Sequence, residues 1–528
     1  MRTYRRASKP ADSPTTEAAL AAMDAEELRD LIREVIPWLD ESTHARLVNA
    51  LVDRAARSRS GWAPPGPTND AVGEILHFAE AAKRVGYADP SEVDDYLRQG
   101  SNAFLGKDYR SAYQIFRALL VPIGNADVDL GQHETLDEVL GIDVAACAAQ
   151  YVVSTYMTAT PSNRGKAVHS AIDEVRGIGH FWEPMREMER VAVEPLPELG
   201  EFLAQWRAVV EERADGGRES DWDSDEDRWR REVVERMEGA DGLAKLARIT
   251  KRASDLRAWC RVLVEAGDWK TVLAAYEESA EVVTDKKLWR GDFLDGAALA
   301  AQELGRKDLP ERLERAWRDA PDMLRLRRWL GSSKSKGSKG TLRRRAAEAL
   351  DACPKRAHRQ RALLHVLLGD LESAAQLLAS APGLGWSDAE HPGYLLFPFF
   401  CSLLGSVELS TERSRDFDEP SPPSEGGEPR LLTPEVSELL EMADLGATTD
   451  GKTRAAVLNA MRMAAAKRIE GVTENKRRGH YGHAAALALA CVQVDGSPES
   501  ASWLSAIRDE YRRYPALQRE LGRRSERR

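Results

Sequence analysis

The sequence predicts an all-α protein, an α-solenoid of stacked helical hairpins with a C-terminal helical domain. Three observations carry this. Apolar residues recur near a 3.6-residue period almost everywhere outside a few polar stretches. Short Gly-Asp turns recur between such stretches. Period-2 runs rich in Val, Ile and Thr are few; residues 151–155 form the best, and its alanine-rich flanks favour a helix.

At 528 residues, with 42% hydrophobic and 30% charged side chains, the chain can bury several packed units, and wholesale disorder is excluded. Residues 1–18 are expected to be a disordered tail and 19–210 a first set of helical repeats. Leu28, Leu31, Ile32, Val35, Ile36 and Leu39 form one helical stripe. Asp24 with Glu27 has capping-box spacing, and Pro37 closes the helix. A second helix starting near Ser42 repeats the stripe with Leu47, Val48, Leu51 and Val52, so the two should bury these faces on each other. Residues 58–68 (SRSGWAPPGPT) read as a loop. The acidic stretch 211–227 reads as a linker, and 228–408 as middle repeats interrupted by a basic loop at 331–340. Residues 409–430, with Pro, paired Gly and mixed charge, read as a disordered linker to a separate helical domain at 431–521, followed by a basic tail at 522–528.

Gly100, Asp108, Tyr109, Ala112 and Phe116 stand at the spacing of tetratricopeptide repeats. Gly267, Asp268, Trp269 and Tyr276 follow it too, as do Gly369, Asp370, Leu371, Ala374 and Leu378. The chain thus resembles tetratricopeptide-like helical-repeat proteins; the alternative is an irregular bundle reusing common turn residues. Lys476 through Tyr481 (KRRGHY), the alanine-rich helix after it, the turn at Gly496 and the end at Arg512 to Pro515 (RRYP) resemble the helical region of bacterial SWIM-type zinc-finger proteins. The Cys-x-Cys and Cys-x-His pairs of that finger are absent. The resemblance therefore implies a bacterial helical scaffold without the zinc finger or its nucleic-acid binding.

Seventy-five Lys and Arg against 86 Asp and Glu leave a net charge of -11, which argues against a dedicated nucleic-acid or anionic-membrane binder. Five widely spaced cysteines suit neither a disulfide framework nor paired zinc knuckles, which points to reducing cytoplasm. No apolar run is long enough to span a membrane, and Ser13 to Glu27 supplies no apolar core for a signal peptide after the opening arginines. Thirteen tryptophans, among them Trp206, Trp229, Trp259, Trp269, Trp317 and Trp503, read as inter-helix packing.

Four patterns could carry chemistry. Gly446 through Thr453 (GATTDGKT) matches a P-loop literally, with Gly446, Gly451, Lys452 and Thr453 in the phosphate and magnesium roles. A P-loop follows a buried strand, whereas Thr433 and Pro434 open a helix here, and a helix-loop-helix turn is expected. Asp221, Asp223, Asp225 and Glu232 sit at EF-hand positions, but Glu226 and Arg228 replace the glycine and apolar residue the loop needs. His480, His483 and Cys491 could share a helix face, with no fourth ligand in view. Residues 324–347 carry Arg325, Arg327, Arg328, Lys334, Lys336, Lys339, Arg343, Arg344 and Arg345 with no acid, and Trp329 could stack on a base. This is the nucleic-acid candidate; its alternative is a solvated loop.

No catalytic constellation emerges. The expected function is a non-catalytic cytoplasmic scaffold or adaptor without cofactor or metal, binding another protein through a concave surface. Nucleic-acid binding at 324–347 and a P-loop-like ATPase at 446–453 are the alternatives.

Overall fold

The computed structural model describes residues 14–58, 61–133, 135–214, 223–285, 287–332, 339–405, 430–445 and 450–522. Every regular element in them is helical; the nearest thing to a strand is one isolated bridge between Tyr87 and Asp129. The chain divides into two compact units, 1–246 and 247–528.

The first unit contains α1 (Pro14–Ala22), α2 (Ala25–Val35), α3 (Glu41–Ala56), α4 (Asn69–Val85), α5 (Pro90–Leu105), α6 (Tyr109–Gly124), α7 (Val144–Thr158), α8 (Arg164–Glu174), α9 (Pro184–Val191), α10 (Leu199–Arg213) and most of α11 (Asp225–Thr250). Successive helices pack on one another: α5 on α6, α6 on α7, α7 on α8. Gly100 is what brings α5 and α6 together, because a Cβ there would lie 3.0 Å from both Ile115 and the Phe116 ring. The best period-2 run, 151–155, is inside α7, with Tyr151, Val152 and Val153 all buried.

The second unit contains α12 (Ala253–Ala266), α13 (Trp269–Val282), α14 (Lys287–Glu303), α15 (Leu309–Asp319), α16 (Met323–Gly331), α17 (Lys339–Ala352), α18 (His358–Leu368), α19 (Leu371–Ser380), α20 (Gly393–Gly405), α21 (Val436–Ala443), α22 (Gly451–Glu474), α23 (Tyr481–Asp495), α24 (Pro498–Glu510) and α25 (Pro515–Gly522). One apolar core runs from Ala298 to Leu521. At its centre α23 is buried on nearly all sides, which its Ala- and Leu-rich sequence permits.

The three Gly-Asp turns share one backbone. Asp108, Asp268 and Asp370 have φ/ψ of -83/71, -81/77 and -83/71, and each carboxylate accepts the backbone N–H three residues on. The left-handed residue ahead of the aspartate is Gly267 or Gly369 in two turns, but in the first it is Lys107 (φ 65), whose ammonium pairs with Glu194 at 2.7 Å.

Several boundaries differ from expectation. Residues 431–521 are not a separate domain. α22 packs on α19 and α20, Lys467 Nζ donates to Ala379 O at 2.8 Å, and Arg454 donates to Leu404 O at 3.1 Å, so these helices complete the core of the middle segment. Of the acidic stretch expected as a linker, residues 211–213 close α10 and Asp225 to Asp227 form the first turn of α11, where carboxylates favour the helix N-terminus; 215–222 lie outside the described residues. The expected tail is helical from Pro14. The Asp24–Glu27 capping box is present in both directions, yet no residue of α2 is fully buried; Leu31 is 41% exposed, and Trp38 in the turn after the helix is 76% exposed. The reason is that α3 commits Val52 and Ala56 to the core beneath it rather than to α2. Residues 1–13, 333–338, 409–429 and 523–528, parts of the expected tails, basic loop and linker, lie outside the described residues.

Candidate functional site: a polar cavity in the first unit

Most of the described basic side chains of the run 324–347 are engaged with groups of the chain itself. Arg325 is 6% exposed and pairs with Asp322 at 2.7 Å, Asp295 at 2.8 Å and Asp292 at 2.9 Å. Arg327 donates to Pro434 O and Arg328 to Thr433 Oγ1 while lying 3.3 Å from Asp295. Trp329 is buried and stacked on Trp317, with ring centroids 5.2 Å apart. Lys339 pairs with Asp444, Arg344 with Glu348, and Arg345 donates to Trp329 O and Ser332 Oγ. Arg343 and Arg344 are both exposed; Lys334 and Lys336 lie outside the described residues. A charge already paired with the chain's own carboxylates has less to offer a phosphate.

The P-loop-like segment also has another use. Asp450 caps α22, its carboxylate accepting from Lys452 N at 2.9 Å and Thr453 N at 2.8 Å, the amides a phosphate would need. Gly451 opens that helix, Lys452 reaches Glu372 at 3.1 Å, and Gly446 lies outside the described residues. Of the EF-hand set, Asp223 pairs with Arg231, Asp225 with Arg228, and Glu232 accepts from Met185 N and Arg186 N. Asp221 lies outside the described residues. His483 is packed edge-on against Trp386, 5.1 Å between centroids, and burial pushes its pKa down to about 4. Among the described residues no group of His, Cys, Asp or Glu could hold a metal ion.

A different place has the character of a site. Helices α3, α5 and α7, with the loop before α7, enclose a cavity of about 510 Å³ in the first unit. The loop is anchored by Asp94 of α5, whose carboxylate accepts from Ile142 N at 2.7 Å and from Arg98. Gly141 lets it approach α3, since a Cβ there would sit 3.2 Å from Ala45. Asp143 then caps α7 by accepting from Ala146 N at 2.8 Å. Around the rim, Arg46 donates to Asp137 O at 3.1 Å, and Arg57 bridges Asp53 and Arg190 O.

The wall is polar and incompletely satisfied. Asn49 Nδ2, Arg57 Nε, Arg98 Nε and Gln150 Oε1 are all hidden from solvent and without a hydrogen-bond partner, and all four residues line the cavity. Gln150 is only 2% exposed. Arg46, Arg57, Arg98 and Arg190 with Asp53, Asp137 and Asp143, and the amides of Asn49, Asn102 and Gln150, make the hollow a polar one. Cys147 also lines the cavity, but burial pushes its thiol pKa far up, which makes it a poor nucleophile.

None of the sequence candidates lines this cavity. The available signal was small: Gln150 is the one amide in the run VAACAAQYVV at the start of α7, a polar residue on a helix otherwise fit for a core. Its neighbours Asn49 and Arg98 are far away in sequence.

No protein-family model matches the chain, and no curated protein matches it.

Proposed function

We propose that this chain is a non-catalytic helical-repeat scaffold or adaptor that holds a segment of another protein in the α3–α5–α7 cavity. The cavity itself carries the reading: its volume is that of a binding site rather than a packing defect, and charged and amide side chains line it. Successive helical hairpins offer such hollows between alternate helices, as in the tetratricopeptide-like repeats the sequence resembles.

A cytoplasmic setting is part of the proposal. All five cysteines are free and buried, with burial raising the Cys260 and Cys401 thiols to about 12. No helix among the described residues is long and apolar enough to cross a membrane. The nucleic-acid and ATPase alternatives lose support because their charged groups and amides are engaged internally.

A photo-crosslinking residue placed at Ala50, exposed on the cavity rim, should yield a discrete protein adduct in cells that natively express the chain. The same group at Glu80, on the exposed side of α4, should not. Equal labelling from both positions would overturn the proposal.

A further inference from the structure

One nitrogen in the first unit faces two incompatible partners. His169 of α8 is 2% exposed, and its Nδ1 lies 3.1 Å from Arg213 Nη1 at the end of α10 and 3.1 Å from Asp173 Oδ2, one turn further along α8. A guanidinium only donates hydrogen bonds, so its contact needs a lone pair on Nδ1; a carboxylate only accepts, so its contact needs a proton there. The two bonds exclude one another, and the protonation of one imidazole decides which is made.

The surroundings separate the two states. With Nδ1 bare, His169 is neutral and its proton sits on Nε2, which is buried without a hydrogen-bond partner. The rings of Trp206 and Trp229 lie beside it, their centroids 6.0 and 5.6 Å from that of the imidazole. Arg213 then donates to Nδ1 while lying 3.6 Å from Asp173 Oδ2. With both nitrogens protonated, the imidazolium donates to Asp173 and repels Arg213, and the indoles face a cation. The charges acting on the ring are Asp173 and Arg176 of α8 itself, Arg213 of α10 and Glu226 of α11; none of these comes from α7, the other helix packed on α8. Burial outweighs the carboxylates and holds the imidazole below its ordinary pKa of 6.5, so the neutral state with Arg213 in place prevails at neutral pH.

What Arg213 holds is the end of a helix. Nearer the start of α10, Glu198 accepts from Arg164, and Gln205 donates to Pro161 O at 2.9 Å and accepts from Gly165 N at 3.3 Å. Among the described residues, the polar contacts of its last turn to α8 are those of Arg213.

We propose that His169 is a pH-sensitive latch on α10: deprotonated at Nδ1, it accepts from Arg213 and holds the last turn of α10 to α8; protonated, it donates to Asp173 and releases Arg213. None of these residues lines the α3–α5–α7 cavity, so the latch stands apart from the partner reading.

The test follows two readouts on the full chain from about pH 7.5 down to about 4.5, a range that brackets the ordinary histidine value. With fluorotryptophan incorporated, the fluorine resonances of Trp206 and Trp229, identified by Trp206→Phe and Trp229→Phe, should shift with one common midpoint below that value. A nitroxide at the exposed position 212, in Glu212→Cys labelled there, should gain mobility with the same midpoint. Arg213→Ala should raise the fluorine midpoint and Asp173→Asn lower it, each by about one pH unit, the effect of one charge on a buried imidazole. Both side chains are substantially exposed, 54% for Arg213 and 41% for Asp173, so the fold should survive either change. Arg213→Ala should also leave the label mobile throughout, and His169→Phe should abolish both pH responses. The latch is refuted if the Arg213 and Asp173 variants move the midpoint in the same direction or not at all, if neither resonance titrates, or if the resonances titrate while the label does not respond.

Discussion

Arg325→Ala should be among the most damaging single substitutions in the second unit. Its guanidinium is 6% exposed and meets three carboxylates that differ in environment. Asp292 and Asp322 are 54% and 45% exposed, so water screens them and each contact contributes ~0–1 kcal/mol. Asp295 is 19% exposed, and its Oδ1 has no partner, so it depends on Arg325 at 2.8 Å and Arg328 at 3.3 Å. Losing one partner of a buried pair costs ~3–5 kcal/mol. Burial already holds the Asp295 carboxyl above the usual carboxylate range against the pull of both arginines, so the variant would relieve part of the loss by taking up a proton. That places the cost near the lower end, ~3 kcal/mol. The assay is urea unfolding of the full chain followed by tryptophan fluorescence, since Trp317 and Trp329 are buried in the same core. Asp292→Ala is the control and should cost at most ~1 kcal/mol. If Arg325→Ala were as mild as that control, the guanidinium would be free in solution and the basic run would again be available for phosphates.

Further outcomes follow from the same packing. Gly383→Ala should destabilise by ~3 kcal/mol or more, because its Cβ would fall 2.0 Å from the Lys467 backbone oxygen of α22, which cannot swing aside; an unchanged melting curve would separate the C-terminal helices from the middle ones. His483, held near pKa 4 against an ordinary 6.5 by burial and by Arg468, His480 and His391, stays neutral in the fold while the unfolded chain protonates. Stability should therefore be unaffected above pH 6.5 and fall as pH drops from 6.5 towards 4, by up to ~3 kcal/mol. His483→Phe, which keeps the contact with Trp386, should flatten that decline in melting temperature. Asp450→Ala should cost ~1–2 kcal/mol as a lost helix cap, and magnesium with ATP should leave the melting temperature of the unaltered chain where it is. A magnesium-dependent rise lost in Lys452→Ala would revive the P-loop.

The features legible in the chain are those whose causes are local. The helical class follows from apolar spacing, the Asp24–Glu27 box from two side chains three residues apart, and the Gly-Asp turns from a left-handed residue followed by a capping aspartate. The tryptophans expected in packing follow the same logic, with Trp206, Trp229 and Trp317 fully buried, although Trp269 and Trp503 are only partly so. What distance along the chain conceals is partnership. Arg327 and Arg328 look like a free basic run until Thr433 and Pro434, over a hundred residues later, arrive to accept from them. The unit boundary was equally hidden, because a Pro- and Gly-rich stretch interrupts the chain without interrupting the core, and α22 returns across it to pack on α19. The cavity depends on three helices and a glycine-bearing loop, and its polar lining is a sum over neighbours that sequence order does not contain. Local propensity sets which segments become helices; the sharing of one core among distant segments decides which charges are neutralised and which polar side chains gather around one hollow.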